Sequence, residues 1–148
     1  NYRISGLQAA LAYSQVDNVD KIIKKKQQQG AFYNSLLSGN KDLSIPQKNF
    51  EGTDNNYWVY GIVLKKSGIR DALMTSLYKK GIETRPIISG NFLNQPSIKL
   101  YKLNKNKKLF KGSQDVEEKG FFIGIHVDPI SKKKLNLLEN KLLKISEI

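Results

Sequence analysis

The chain has 148 residues, one ordinary domain by length, and carries 25 basic residues against 13 acidic ones for a net charge of +12. Zero cysteines exclude disulfides and thiolate chemistry and fit a reducing compartment. No apolar run approaches the roughly 18 residues of a membrane span, and no basic-then-apolar leader opens the chain, so a cytoplasmic location is expected.

In chain order, Ser5 to Gln15 predicts a short helix with Ser5 as N-cap and Leu7, Ala10 and Leu11 on one side. Asp17 and Asn18 interrupt the pattern and can cap a second helix reaching about Leu37. Its apolar face is predicted from Val19, Ile22, Ile23, Phe32 and Leu36, with Lys21, Lys24 and Lys25 outward. Lys41 to Asn56 reads as a polar linker. Tyr57 to Leu64, aromatic and β-branched, predicts the clearest strand. Ser67-Gly68 opens a helix to about Lys80 that Gly81 closes, and Ile82 to Ile87 predicts a short strand. Lys99 to Gly112 is expected to be exposed. A short helix from Ser113 to Gly120, a third strand from Phe121 to Ile125 and a final helix capped by Ser131 complete the order. This predicts an α/β layer of about three strands with helices on one face. The two N-terminal helices have no evident place in it and suggest membership of another body.

Just after the helix that ends near Lys80 lies Gly81-Ile82-Glu83-Thr84-Arg85-Pro86-Ile87-Ile88-Ser89-Gly90-Asn91-Phe92-Leu93-Asn94-Gln95-Pro96. Arginine offers a planar fork for phosphate or carboxylate, and asparagine and glutamine both donate and accept. The segment reads either as a polar-ligand loop or as a structural turn.

Four stretches carry a family resemblance. Asn1 to Ala12 resembles the segment after the cofactor-bearing part of the sugar-nucleotide aminotransferases, pyridoxal-phosphate (PLP) enzymes of aminotransferase fold type I. Asp20 to Lys26 through Tyr33 to Leu37 is similar to that family's connecting helix. Tyr57 to Leu64 and Lys80 to Pro86 resemble its small C-terminal domain. Within the family, Gly90-Asn91 followed by Gln95-Pro96 resembles the branch that removes the C3 hydroxyl of nucleotide-linked 4-keto-6-deoxyhexoses, as does Gly120 to Gly124. Tyr57 to Leu64 looks closer to perosamine-synthase-type aminotransferases.

The resemblance implies a division into 1–16, the end of a large cofactor-binding domain, 17–40, a connecting helix, and 41–148, a small α/β domain. It implies PLP or its amine form, pyridoxamine phosphate (PMP), as cofactor, a nucleotide-sugar substrate and a homodimer. The family's cofactor lysine or histidine, and the carboxylate that pairs with the pyridine nitrogen, lie upstream of Asn1, so this stretch alone is expected neither to catalyse nor to bind the cofactor stably. By the same resemblance Asn1 would reach the cofactor phosphate of a partner subunit, the other reading being an ordinary helix-preceding asparagine. Arg85, Asn91 and Gln95 would line the sugar-nucleotide side of the cleft, Arg85 alternatively forming a surface ion pair with Glu83. His126, the single histidine, is placed with them on the substrate side or is a solvated loop residue. No metal site is expected.

A rival reading is a basic module that binds nucleic acid or an acidic partner. Three arginines (Arg3, Arg70, Arg85) among 25 basic residues leave little bidentate base-reading capacity. Lys24–Lys26 and Lys132–Lys134 lie on helical patterns away from the apolar residues, as a solvated face does. Strand alternation is also expected to bury about half of Tyr57, Trp58, Tyr60, Phe121 and Phe122, thinning any stacking surface.

Overall fold

The computed structural model describes residues 3–44, 51–103 and 106–128, with isolated positions at 131, 133, 136 and 140. The predicted final helix therefore lies almost wholly outside the described residues.

Helix α1 spans Gly6–Tyr13 and starts at a capping box. Ser5 Oγ accepts from the Gln8 amide at 3.2 Å, and Gln8 Oε1 accepts from the Ser5 amide at 2.9 Å. None of its residues is buried. Ile4, Leu7 and Leu11 are 68%, 75% and 63% exposed, so the apolar side read from the sequence has no cover among the described residues.

Helix α2, Val19–Leu37, follows a 3-10 turn at Val16–Asn18. Its fully buried positions are Gly30, Tyr33 and Leu37; of the predicted face, Ile22, Ile23 and Leu36 are half-buried, Leu36 against the core, while Val19 and Phe32 are exposed, so the buried side is turned from the predicted one. The reason is one close contact. The Tyr57 ring lies on Gly30 so tightly that a Cβ there would sit 2.3 Å from Tyr57 Cε2. That seat turns the adjoining Tyr33 and Leu37 inward. Each fully buried large apolar side chain contributes about 1.5–3 kcal/mol, which outweighs the roughly 1 kcal/mol that glycine costs mid-helix. The second half of α2 thus belongs to the core of the sheet layer, whereas α1 does not.

The sheet has four strands rather than three. They are β1 (Leu43–Ser44), β2 (Val59–Leu64), β3 (Thr84–Pro86) and β4 (Gly120–Gly124), ordered β1-β2-β4-β3 with every pairing antiparallel. The extra strand comes from the predicted linker, where Leu43 pairs with Leu64 and is itself buried. Two residues with a single apolar side chain carry no strand periodicity, so only the edge of β2 makes them a strand. Register fixes the two faces. Tyr60 opposes Ile123 and Ile62 opposes Phe121, and these side chains fill the core with Tyr33, Leu37, Leu64, Leu73 and Leu77.

Helix α3, Arg70–Tyr78, supplies Leu73 and Leu77 to that core, while Tyr78, one residue on, is exposed. It ends in a Schellman arrangement. The Ile82 amide reaches the Leu77 carbonyl at 3.0 Å and the Gly81 amide the Tyr78 carbonyl at 2.8 Å. Gly81 takes φ +77 there, a value that glycine reaches without steric cost. This stop returns the chain to the sheet as β3, an edge strand, where Pro86 removes no needed donor. The segment after β3 is less irregular than its composition predicts: a 3-10 turn at Phe92–Asn94 leads into α4 at Pro96–Leu100. A further 3-10 turn, Lys107–Phe110, precedes α5, Lys111–Lys119.

Candidate functional site

The β3–β4 register sets Arg85 opposite Phe122, on the sheet face turned away from the core. Arg85 is exposed, and its Nε and Nη2 donate to Glu83 Oε1 at 3.1 and 2.8 Å. Both side chains are about two-thirds exposed, at 67% and 71%, so the ion pair read from the sequence is present. A pair this wet contributes about 0–1 kcal/mol. It orients the guanidinium without locking it, and Nη1 has no partner among the described residues.

Around Arg85 opens a groove of about 950 Å³ whose walls include Trp58, Ile88, Phe122, Lys26 and His126. Trp58 is 72% exposed, an aromatic plate on the same groove as the cations Arg85 and Lys26. Lys25 pairs with Asp128 at 3.2 Å, tying α2 to the segment after β4 along one side. Tyr33 also lines the groove. It is 0% exposed and its hydroxyl has no partner among the described residues, and burial pushes its pKa from 10.0 up to about 12. Its neighbour Tyr60 is satisfied: its hydroxyl donates to Asn34 Oδ1 at 2.7 Å, and Asn34 Nδ2 donates to the Tyr57 hydroxyl at 3.2 Å. Burial first, then the adjacent Tyr57 and Tyr33, raises the Tyr60 phenol as well.

The groove unites Arg85 and His126, which is exposed, but not Asn91 or Gln95. Asn91 is 1% exposed. Its amide donates to Glu117 Oε2 at 3.2 Å, its Nδ2 to Gln114 Oε1 at 3.0 Å, and its Oδ1 accepts from the Leu93 amide at 3.1 Å. Gln95 is half-buried where α4 begins, its amide bonded to the Phe92 carbonyl at 3.0 Å and its carbonyl accepting from Ile98 at 3.1 Å. Asn1 lies outside the described residues.

Trp58, Lys26 and Tyr33 were not legible as groove residues. Parity with Tyr60 and Ile62 would place Trp58 in the core, but the ladder begins at Val59 and frees it. Of the five strand aromatics, Tyr57, Tyr60 and Phe121 are buried while Trp58 and Phe122 are not.

The antiparallel sheet backed by α2 and α3, with the groove beside its β3 edge, is the architecture of one part of a PLP-dependent transferase. Residues 1–135 match the model of the DegT/DnrJ/EryC1/StrS aminotransferase family, and the chain belongs to that family. It is 34% identical over 125 residues to the GDP-perosamine synthase of Vibrio cholerae, covering 81% of this chain and 32% of that protein. It is 25% identical over 140 residues to the GDP-4-keto-6-deoxy-D-mannose 3-dehydratase of Yersinia pseudotuberculosis, covering 93% of this chain and 35% of that one. The Escherichia coli GDP-4-keto-6-deoxy-D-mannose-3-dehydratase with bound hydrated PLP shares the fold with a TM-score of 0.77 at 22% identity, over 90% of this chain and 34% of that chain. The chain thus spans about a third of the length of these relatives. Among the described residues no helix is long and apolar enough to cross a membrane.

Proposed function

We propose that these residues form the C-terminal part of a PLP- or PMP-dependent enzyme acting on a GDP-linked 4-keto-6-deoxy sugar, by C3 dehydration or C4 transamination. The observation that carries this reading is family membership together with a groove that sets Arg85 and Lys26 beside the Trp58 plate. Cations and an aromatic face suit phosphates and a base. Outside the tyrosines the buried polar side chain of the described residues is Asn91, and the family's cofactor site also needs a carboxylate for the pyridine nitrogen. We place that carboxylate and the cofactor lysine or histidine upstream, with residues 1–16 closing the large domain and 17–40 leading into the small one. The bare apolar side of α1 is consistent with such a neighbour.

The cofactor, when bound, supplies the electron sink. Arg85 and Lys26 hold the substrate's phosphates, Trp58 stacks on its base, and His126 stands on the groove wall within reach of its polar groups. Asn91 and Gln95 act through the loop they shape. Homodimerisation, with Asn1 toward the partner's cofactor phosphate, and a cytoplasmic setting complete the proposal. The basic-module reading draws no support from the family.

The test is direct. The full-length enzyme, incubated with GDP-4-keto-6-deoxymannose, cofactor and glutamate, should yield either a 3-deoxy or a 4-amino sugar by mass spectrometry, and the product distinguishes the two branches. Failure of any GDP-linked keto sugar to react or bind would remove the assignment.

A further inference from the structure

Glu117 of α5 is joined to the loop after β3 at every level of its structure. Its carboxylate oxygen Oε2 accepts from the Asn91 amide at 3.2 Å and also from Asn94 Nδ2. Its Cβ and Cγ lie 2.7 Å from where a side chain on Gly90 would begin, so the loop backbone presses directly onto its stem. Its carbonyl accepts from Arg70 Nη1, which ties the same turn of α5 to the start of α3. One turn earlier, Gln114 Oε1 takes Asn91 Nδ2 at 3.0 Å and Asn94 Nδ2 at 3.1 Å, while its own Nε2 donates to Glu118 at 2.7 Å.

What these contacts hold is a turn that would not persist unaided. Ser89 and Gly90 take φ +68 and +43 in succession. A non-glycine residue in the left-handed region costs on the order of 1–3 kcal/mol and persists where surrounding contacts over-determine it. Immediately before the turn stands Ile88, on the groove wall, and two residues before that stands Pro86, the last residue of β3. That strand is three residues long, lies at the sheet edge and pairs with β4 alone. The sheet therefore holds Arg85 from one side, and the Glu117 clamp holds the chain that leaves it.

We infer that Glu117, assisted by Gln114, is a positioning residue for ligand recognition: by clamping residues 89–94 it sets Ile88 and Arg85 on the groove. This rests on the nucleotide-sugar reading of the groove above. The carboxylate touches no ligand; it acts through the loop.

The experiment uses the full-length enzyme with E117A, E117Q and, as a separate probe of the groove, R85K. Steady-state kinetics give KM and kcat, and calorimetry gives the dissociation constant for GDP without cofactor turnover. A misplaced positioning group can cost as much as about a hundredfold; E117A should raise KM and the GDP dissociation constant roughly tenfold, with kcat within about twofold. E117Q, whose amide oxygen can accept both bonds along the same stem, should restore both constants. Should E117A fail to fold, E117D, which keeps the charge but withdraws it by one methylene, should show the same rise. A fall in melting temperature with KM and GDP affinity unchanged, while R85K is impaired, would overturn the inference and leave the groove reading standing. If R85K too keeps wild-type GDP affinity, the groove reading fails and the inference falls with it.

Discussion

Glu83 to Pro86 and Ser89 to Gln95 are neighbours in the chain and alike in polarity, yet they are used in opposite ways. In the first, Arg85 and Glu83 stand about two-thirds in water, at 67% and 71% exposure, and spend their charge on each other. In the second, Asn91 is 1% exposed and each of its polar groups is bonded inside the chain. A group whose partners are all internal has nothing left to offer a ligand, whereas an exposed pair can exchange one partner for another at small cost. The difference separates a residue that shapes a site from one that meets what enters it, and residue type alone cannot make that distinction.

The most severe way to break the comparison is Asn91→Ala. It removes the side-chain bonds to Gln114 Oε1 and from the Leu93 amide while the backbone bond to Glu117 stays, and such losses cost about 1–3 kcal/mol each at the site. A destabilisation of about 3 kcal/mol is expected in urea unfolding. A loss under about 1 kcal/mol would mean that the loop is held by something other than Asn91.

Arg85→Lys should do the reverse. Lysine keeps the charge but loses the planar fork; in the full-length enzyme kcat/KM should fall roughly ten- to a hundredfold, the equivalent of about 1.5–3 kcal/mol. The melting temperature should barely move, because an exposed pair contributes about 0–1 kcal/mol. A variant that melts early with unaltered kinetics would place Arg85 with Asn91.

A smaller, pH-dependent effect sharpens the same contrast at Tyr33. Its folded pKa is raised from 10.0 to about 12, so the stability it contributes is complete below pH 10 and is lost as pH rises toward 12. The loss is limited to about 2–3 kcal/mol, each pKa unit being worth about 1.4 kcal/mol. The phenolate absorbance of Tyr33, read as the difference between the wild type and Tyr33→Phe, should therefore rise together with loss of the circular-dichroism signal rather than ahead of it. Tyr33→Phe, which removes a buried hydroxyl that has no partner among the described residues, should be neutral or slightly stabilising in neutral solution and should delay the alkaline transition. Tyrosine ionisation completed with the fold intact would show that the buried phenols are reached from the groove.

Local chemistry was enough to read much of the fold. Ser5 and Gln8 form their capping box from side chains three residues apart, and Gly81 ends α3 because glycine takes φ +77 freely. The apolar runs at Val59–Leu64 and Phe121–Ile123 became strands because alternation and β-branching act within the segment. Order along the chain and the α/β class followed from patterns of this kind, and the family from the resemblance of four stretches.

What only the tertiary structure decided depended on partners far away in sequence. Leu43–Ser44 is a strand because Leu64 and Val63 are there to pair with it. The buried side of α2 is set by the Tyr57 ring on Gly30, a contact that helical period cannot reveal. Trp58 is exposed since the ladder starts one residue later, and Asn91 turns inward because α5 brings Gln114 and Glu117 to it across more than twenty residues. Composition announced a polar loop; whether its asparagine faced a ligand or the protein was a matter of which acceptors the folded chain placed beside it, since a buried amide must take whatever partners are within reach.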